Sequence, residues 1–552
     1  MKTCFRWKYL SVILIFSFLL IGIQPANIVS AQSLDFPQEN SWTLATPSVV
    51  WCNDPTSTTT LEVHIVGRQD VARVWLTNLN TSDEENRAEL FDDGMHGDVQ
   101  SGDNVFTLGG VVLPCSPNYI LTRGGIDNWW GMLRVELDGG VQTGHNYGMV
   151  VGLVHQDFKN SFPIQDYGNG LLATAYAFFV QDVGHEVMDG YPITTLYCGT
   201  TNFAAYQKLY SVLPDDFDFA IVMAGMQIFR PSTLAENVPY DVLVSNSVQN
   251  IGMDLVDNTA QFGSAGRLKS VIYHSFGSMA IFDHEVAHTW GAAIGQSLGL
   301  LNEDYIVNQG HWNELADIQG QLGAYFFESG GAVGHFAYNG DETWNLVANT
   351  EVEPYSPLEL YLMGLVPPDE VPPVHILESP NAADPNRITA ASFRTITIED
   401  LIQAEGGARI PPVGESQKDF NLAFIVTQDV PYNDAAFAYF SLMAYSLESK
   451  NPPLRNSSLA PFYWATGGRA TLSSRLPVDV PNPVDLPGMP AIVNAPEASP
   501  TITSVPPASV AEASPTSGAT PTTNGWPPIC TSVFGAISFG LLPVILHLLK
   551  KR

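Results

Sequence analysis

The residues best suited to chemistry are Asp283-His284-Glu285-Val286-Ala287-His288-Thr289-Trp290-Gly291. On a helix, positions four apart lie one turn above each other, so the imidazoles of His284 and His288 can reach one ion. Zinc binds neutral imidazole nitrogen at about 2.0 to 2.1 Å, and a catalytic zinc site uses three protein ligands and keeps one position open. Glu285, one residue on from the first imidazole, is placed as general base. It takes the proton of a water that zinc acidifies to a pKa of about 7 and passes it to the nitrogen of the broken amide. A shorter echo, His185-Glu186-Val187-Met188-Asp189, has an acid where the second histidine is needed and glycine on either side, and it reads as a helix end.

The third ligand is not fixed by the motif. Gly291 fits the extended pattern HExxHxxGxxH, but Ile294 stands where its last histidine belongs. Where thermolysin-like enzymes carry a downstream glutamate, this chain has Val307 and Asn308. The nearby donors are Glu303, Asp304, His311 and Glu314. His311 ranks first, because imidazole is a favoured zinc donor and Gly310 lets the chain turn back on the helix. Glu314 ranks second and Glu303 third.

These residues need elements to hold them. An apolar register through Met279, Phe282, Val286 and Trp290 predicts a helix over Met279 to Ile294, and Leu171 to Met188 also has helical spacing. Asp216 to Met223 reads as a buried strand. From about Ser41 to Val154, short alternating runs such as Leu61-Glu62-Val63-His64-Ile65-Val66 predict an antiparallel β-sandwich. The expected architecture is an all-β immunoglobulin-like sandwich over 32–154, followed by an α+β zincin-like metallopeptidase domain over 155–478. Beyond it, 479–528 is rich in Pro, Ser and Thr and reads as an extended stalk.

Both ends lie outside these domains. Residues 1–31 combine Lys2, Arg6 and Lys8, an apolar run and Val29-Ser30-Ala31, the order of a secretory signal peptide; an uncleaved anchor is the alternative. Residues 529–549 are apolar and uncharged and precede the basic tail 550–552, which predicts a transmembrane helix with the rest of the chain outside. A sorting tail removed after export is the alternative there. The 552 residues carry 24 Lys and Arg against 56 Asp and Glu, a formal charge of −32, which excludes nucleic acid as a partner. Of five cysteines, Cys52 and Cys115 bracket the strand-rich segment and are expected to pair, leaving Cys198 reduced and buried.

Within the sandwich, Asp92-Asp93-Gly94-Met95-His96-Gly97-Asp98, followed by Ser101-Gly102-Asp103, resembles the Asp-rich hairpin of immunoglobulin-like modules on bacterial surface proteins. Gly94 and His96 stand where a calcium loop needs oxygen donors, so a plain turn is the leading reading and a Ca2+ clip the other. Further on, Tyr240-Asp241-Val242-Leu243-Val244, Gly263-Ser264-Ala265-Gly266-Arg267-Leu268, the HEVAHTW run, Gly310-His311-Trp312 and Tyr355 to Leu365 together resemble a group of bacterial surface proteins of zincin type, over roughly residues 200 to 475. The resemblance implies a protease fold and matches the His311-Trp312 pair to the third ligand. By comparison with metzincins, Met363 is a candidate floor beneath the metal, and Tyr355 or Tyr361 a candidate donor to the oxyanion.

The function expected is zinc-dependent hydrolysis of peptide bonds in extracellular proteins or peptides, with His284, His288 and His311 as ligands and Glu285 as base. A non-catalytic surface adhesin on the same scaffold and a metal-dependent hydrolase of another bond are the rival readings.

Overall fold

Period-two alternation dominates the first part of the chain, and in the computed structural model it becomes two facing sheets. The structure describes residues 41–481, except 79–86, 116–124, 141, 182–184, 189–190, 195–202, 226–239, 275–281, 292, 302–309, 324–325, 328–332, 349–352, 429 and 451–460. The strands are β1 (Trp42–Thr46), β2 (Val49–Trp51), β3 (Thr59–His64), β4 (Val71–Asn78), β5 (Arg87–Leu90), β6 (Val105–Val111), β7 (Ile126–Leu137) and β8 (Gln142–Val154). One sheet runs β1-β3-β6 and the other β2-β8-β7-β4-β5. Pairing is antiparallel except for β2 on β8. Alternate residues such as Leu61, Val63, Val74, Leu76, Leu133 and Val135 meet between the sheets, as two half-buried faces must. The expected Cys52–Cys115 bond is formed, with 5.0 Å between the Cα atoms. Cys198 lies outside the described residues.

The second part is built on an eight-stranded mixed sheet. Its strands are β9 (Gln165–Gly168), β10 (Leu171–Ala173), β11 (Phe178–Gln181), β14 (Phe219–Ala224), β15 (Tyr240–Leu243), β18 (Ser270–His274), β24 (Asp419–Gln428) and β25 (Thr471–Ser473). The order is β15-β18-β14-β24-β11-β10-β9, with β25 also paired to β24. The central pairs are parallel and β15 closes one edge antiparallel to β18. Small sheets come from β12 (His185–Met188) with β13 (Tyr191–Thr194), and β16 (Ser245–Asn246) with β17 (Val256–Asp257). Others are formed by β19 (Phe326–Phe327), β20 (Val333–Tyr338) and β21 (Trp344–Val347), and by β22 (Val374–Glu378) with β23 (Ser392–Ile396).

The helices are α1 (Phe203–Val212), α2 (Thr259–Phe262), α3 (Phe282–Ala287), α4 (Pro357–Met363), α5 (Ile398–Ala404), α6 (Asp434–Glu448) and α7 (Phe462–Ala465). Both faces of the large sheet are covered. In β14, Phe219, Ile221 and Met223 join the cluster that holds Phe282, Val286 and Trp290. Ala220, Val222 and Ala224 join Tyr206 and Leu209 of α1 on the other face.

Helix α6 lies between the two parts. It is buried from Ala435 to Leu447, the condition of a helix that is apolar all round. Its Phe437, Tyr439 and Phe440 share one cluster with Phe179 and Val426 of the large sheet and with Val49, Trp51, Ile126 and Val150 of the sandwich. Asn433 caps α6, and its side-chain amide donates to the Val49 carbonyl at 2.9 Å. Gly152 of β8 allows the approach, since a Cβ there would stand 3.0 Å from the Tyr439 ring.

The fold expectation is corrected on two points. The part over 155–478 is chiefly strand, and among the described residues only α1 and α6 reach ten residues, so the α+β zincin-like architecture does not describe it. No described helix is long and apolar enough to cross a membrane; the segment 529–549 expected to do so lies outside the described residues, as do 1–31, 482–528 and 550–552. The misread stretch, Leu171 to Met188, forms β10, β11 and β12. Phe178, Phe179 and Val180 are buried on both faces of the sheet, and a run apolar on both faces loses the alternation that marks a strand. The same stretch places His185 in a strand rather than at a helix end.

Candidate metal centre

Helix α3 is short, and every residue in it is buried. His284 lies within it and His288 in the turn that follows, where the Thr289, Trp290 and Gly291 amides still bond back to Val286 and Ala287. The expected helix over Met279 to Ile294 is therefore reduced to Phe282–Ala287 and one turn, with 275–281 outside the described residues. Phe282, Val286 and Trp290 anchor this element in the core, which turns the imidazoles to the opposite side.

His311 arrives from the segment after α3. Gly310 has φ +34°, a left-handed turn that favours glycine, and it starts the return. Trp312 then bridges Leu301, and the Trp312 amide donates to the Leu322 carbonyl at 3.1 Å. Gly291 lets this segment close on α3: a Cβ there would stand 2.4 Å from Leu322 Cδ1. The glycine that half-matched a longer motif thus has a packing reason.

The three imidazoles converge. His284 Nε2 lies 3.3 Å from His288 Nε2 and 3.1 Å from His311 Nε2, and the three ring centroids are 4.9, 5.0 and 5.2 Å apart. Tetrahedral ligands about 2.05 Å from one ion stand about 3.3 Å from each other, so the spacing fits a zinc ion. His284 Nδ1–H donates to the Gln321 carbonyl at 2.6 Å, which leaves its Nε2 lone pair directed at the other two rings. Burial pushes His284 down to about 4 and, with His284 beside it, His311 down to about 3. His288 is pushed well down by burial and by its two neighbours. Near neutral pH the rings carry no charge, the state a metal requires.

The other expected donors fall elsewhere. Glu314 is exposed, and Glu303 and Asp304 lie outside the described residues. Tyr355 donates its hydroxyl to the Asp283 carbonyl at 2.8 Å, and the Tyr361 hydroxyl accepts the Arg409 amide at 3.0 Å. Both phenols are engaged in the core, and Met363 belongs to the main apolar cluster.

Glu285 is buried, and its carboxyl accepts the backbone N–H of Asp241 in β15. Burial, then the Asp241 carboxyl, push Glu285 well up. Asp241 is itself pushed up to about 8 by burial, against a hydrogen bond from Ser270. The sequence reading passed over Asp241 as a site residue, although an acid inside the apolar run Tyr240 to Val244 is a usable signal. It also passed over Gln321, whose part is played by a backbone carbonyl, and Glu359, whose only signal is the Ser-Pro-Leu-Glu capping box of α4.

A second group of acids, Asp92, Asp98 and Asp103, brings carboxylate oxygens within 4.8 Å of one another in the sandwich. Asp92 accepts the amides of Gly102, Asp103 and Asn104, Asp98 those of Gly94 and Gln100, and Asp103 that of Val105. These bonds brace the turn. No protein-family model, curated protein or solved structure matches the chain.

Proposed function

We propose that the chain is a zinc-dependent hydrolase acting on peptide bonds outside the cytoplasm, with His284, His288 and His311 as ligands and Glu285 as general base. The observation that carries this reading is the convergence of three neutral imidazole nitrogens at metal-ligand spacing, one of them adjacent in sequence to a buried carboxyl. A bound zinc ion supplies a Lewis acid that polarises a carbonyl and acidifies water. A cation held by the imidazoles would offset the burial that raises the Glu285 carboxyl, and the ionised carboxylate would then accept the water proton as the oxygen attacks the carbonyl carbon. It then delivers that proton to the amide nitrogen as the C–N bond breaks, so the base is regenerated. Gln321 holds His284 in the tautomer that offers Nε2.

The peptide-bond reading rests on the HEVAH spacing and the buried Glu285 carboxyl; strand β15, which packs against α3, gives its Asp241 N–H to that carboxyl. The Cys52–Cys115 bond supports an oxidising compartment.

The test is digestion of a peptide library by the full-length protein, with and without a chelator, beside Glu285→Gln. The amide keeps the size of the side chain and removes the base, so zinc should stay and turnover should fall on the order of a hundredfold or more. Cleavage insensitive to chelator would remove the metal from the reaction. No cleavage by the zinc-loaded parent would favour the adhesin reading, and cleavage of esters alone would favour a hydrolase of another bond.

A further inference from the structure

Glu359 is a buried acid that the proposed reaction does not use; it is 2% exposed. Its Oε1 accepts the Leu322 amide at 2.7 Å and the Trp312 indole N–H at 3.2 Å. Its Oε2 accepts the Ser356 amide at 2.7 Å and the Gln321 amide at 3.1 Å. These four donors are neutral N–H groups that occupy both oxygens, so this carboxylate is committed to the protein and not to an ion. Burial pushes its carboxyl up, and the four hydrogen bonds act the other way.

Three of the four donors belong to the segment from Trp312 to Leu322. That segment supplies the metal centre twice: His311 precedes Trp312, and the Gln321 carbonyl takes the Nδ1–H of His284 at 2.6 Å. One carboxylate therefore ties both ends of the segment to α4. The fit is close at Gly320, which has φ +113°; a Cβ there would stand 2.1 Å from Glu359 Oε2 and 2.6 Å from the Ser356 nitrogen.

We propose that Glu359 is the positioning residue of the metal centre: by gathering the Trp312, Gln321 and Leu322 N–H groups it holds His311 and the His284 tautomer in ligand geometry before an ion arrives. This rests on the metal reading above. Without that anchor the ion must order the segment as it binds, and the ordering cost appears as lost affinity. Glutamine is the informative replacement. Its amide N–H2 faces two donors wherever it is turned, so a pair of acceptor contacts is lost while the volume is kept.

Glu359 also closes the capping box of α4, so a purely structural role must be separated from positioning. The experiment titrates the full-length protein with Co2+, whose visible absorption reports ligand number, and with Zn2+ against a competing chelator. It is run on the parent, Glu359→Gln, Trp312→Phe, His311→Ala and His288→Ala, with the thermal midpoint of each metal-free protein recorded. Glu359→Gln should bind Zn2+ ten- to a hundredfold more weakly, the range for partners that orient ligands, and its Co2+ spectrum should shift toward that of His311→Ala. Trp312→Phe keeps an aromatic ring of smaller size and removes one of the four donors; it should lose a few-fold in affinity, and its metal-free thermal midpoint reports the packing lost with the smaller ring. A lowered midpoint with unchanged affinity and spectrum would make Glu359 a helix cap only and overturn the proposal. If Glu359→Gln fails to fold, unchanged affinity and spectrum in Trp312→Phe overturn it instead. A parent that binds no Co2+, or a His288→Ala protein that binds it as tightly as the parent, removes the metal reading itself and this proposal with it.

Discussion

His311 and Glu314 are three positions apart on one segment, the first turned to His284 and the second exposed, so their replacement separates a ligand from a bystander. His311→Ala should weaken zinc binding far more than Glu314→Ala in competition with a chelator. Equal effects would mean that the segment, not the imidazole, holds the ion. His288→Ala should lose zinc nearly completely by metal analysis. At this scale the sequence was informative about proximity where local spacing fixes it. His284 and His288 stand one helical turn apart, and the structure brings His311, the first-ranked of the nearby donors, beside them. Asp241 and Glu359 were not legible in the same way, because what they do depends on contacts with residues 44 and 37 to 47 positions away. The Gln321 carbonyl has no side-chain signature at all.

At the scale of elements, the approach of the segment 311–322 to α3 is set by a missing methyl group. Gly291→Ala would place a Cβ 2.4 Å from Leu322 Cδ1 and 2.8 Å from the Ala287 carbonyl oxygen. Overpacking of this kind costs about 1 to 3 kcal/mol, and denaturant unfolding should show a lower midpoint with an unchanged slope. A midpoint equal to the parent's would mean that the two elements part easily. The strands of the sandwich were legible, because β3 and β7 alternate buried and half-buried residues along their length. The strands of the large sheet were legible only where short apolar runs are bounded by turns, as in β14. Where Leu171 to Met188 is apolar on both faces, spacing suggested a helix and tertiary burial decided for strands.

On the scale of the whole molecule, two ties hold the sandwich in its fold and against the rest. The Cys52–Cys115 bond closes a 63-residue separation, and the chain-entropy estimate for such a loop is about 4 kcal/mol. The double serine variant should therefore unfold at markedly lower denaturant, and an unchanged midpoint would remove the entropic account. Lys159 pairs with Asp54 across 105 positions at the rim of a cleft of about 450 Å³ between the parts. The hydrogen bond from Lys159 holds the Asp54 carboxyl down to about 2, below its unfolded value of about 3.9. A carboxyl lowered by folding stabilises above the unfolded value and loses that contribution as pH falls through the folded one. Thermal midpoints should thus fall between about pH 4 and pH 2 more steeply in the parent than in Lys159→Ala. Parallel curves would show that the pair contributes nothing.

Helix α6 is the interior of both parts at once, with Tyr439 against Gly152 on one side and Phe440 in the cluster beneath the large sheet on the other. Fold-level modularity therefore stops at this chain's Val154. A sandwich cut out there and grafted onto another protein would carry Val49, Trp51 and Val150 into water, and the remainder would carry a bare apolar helix. Gene rearrangements that shuffle surface modules as beads would have to transfer α6 together with its sandwich, although nearly 300 residues of chain separate them.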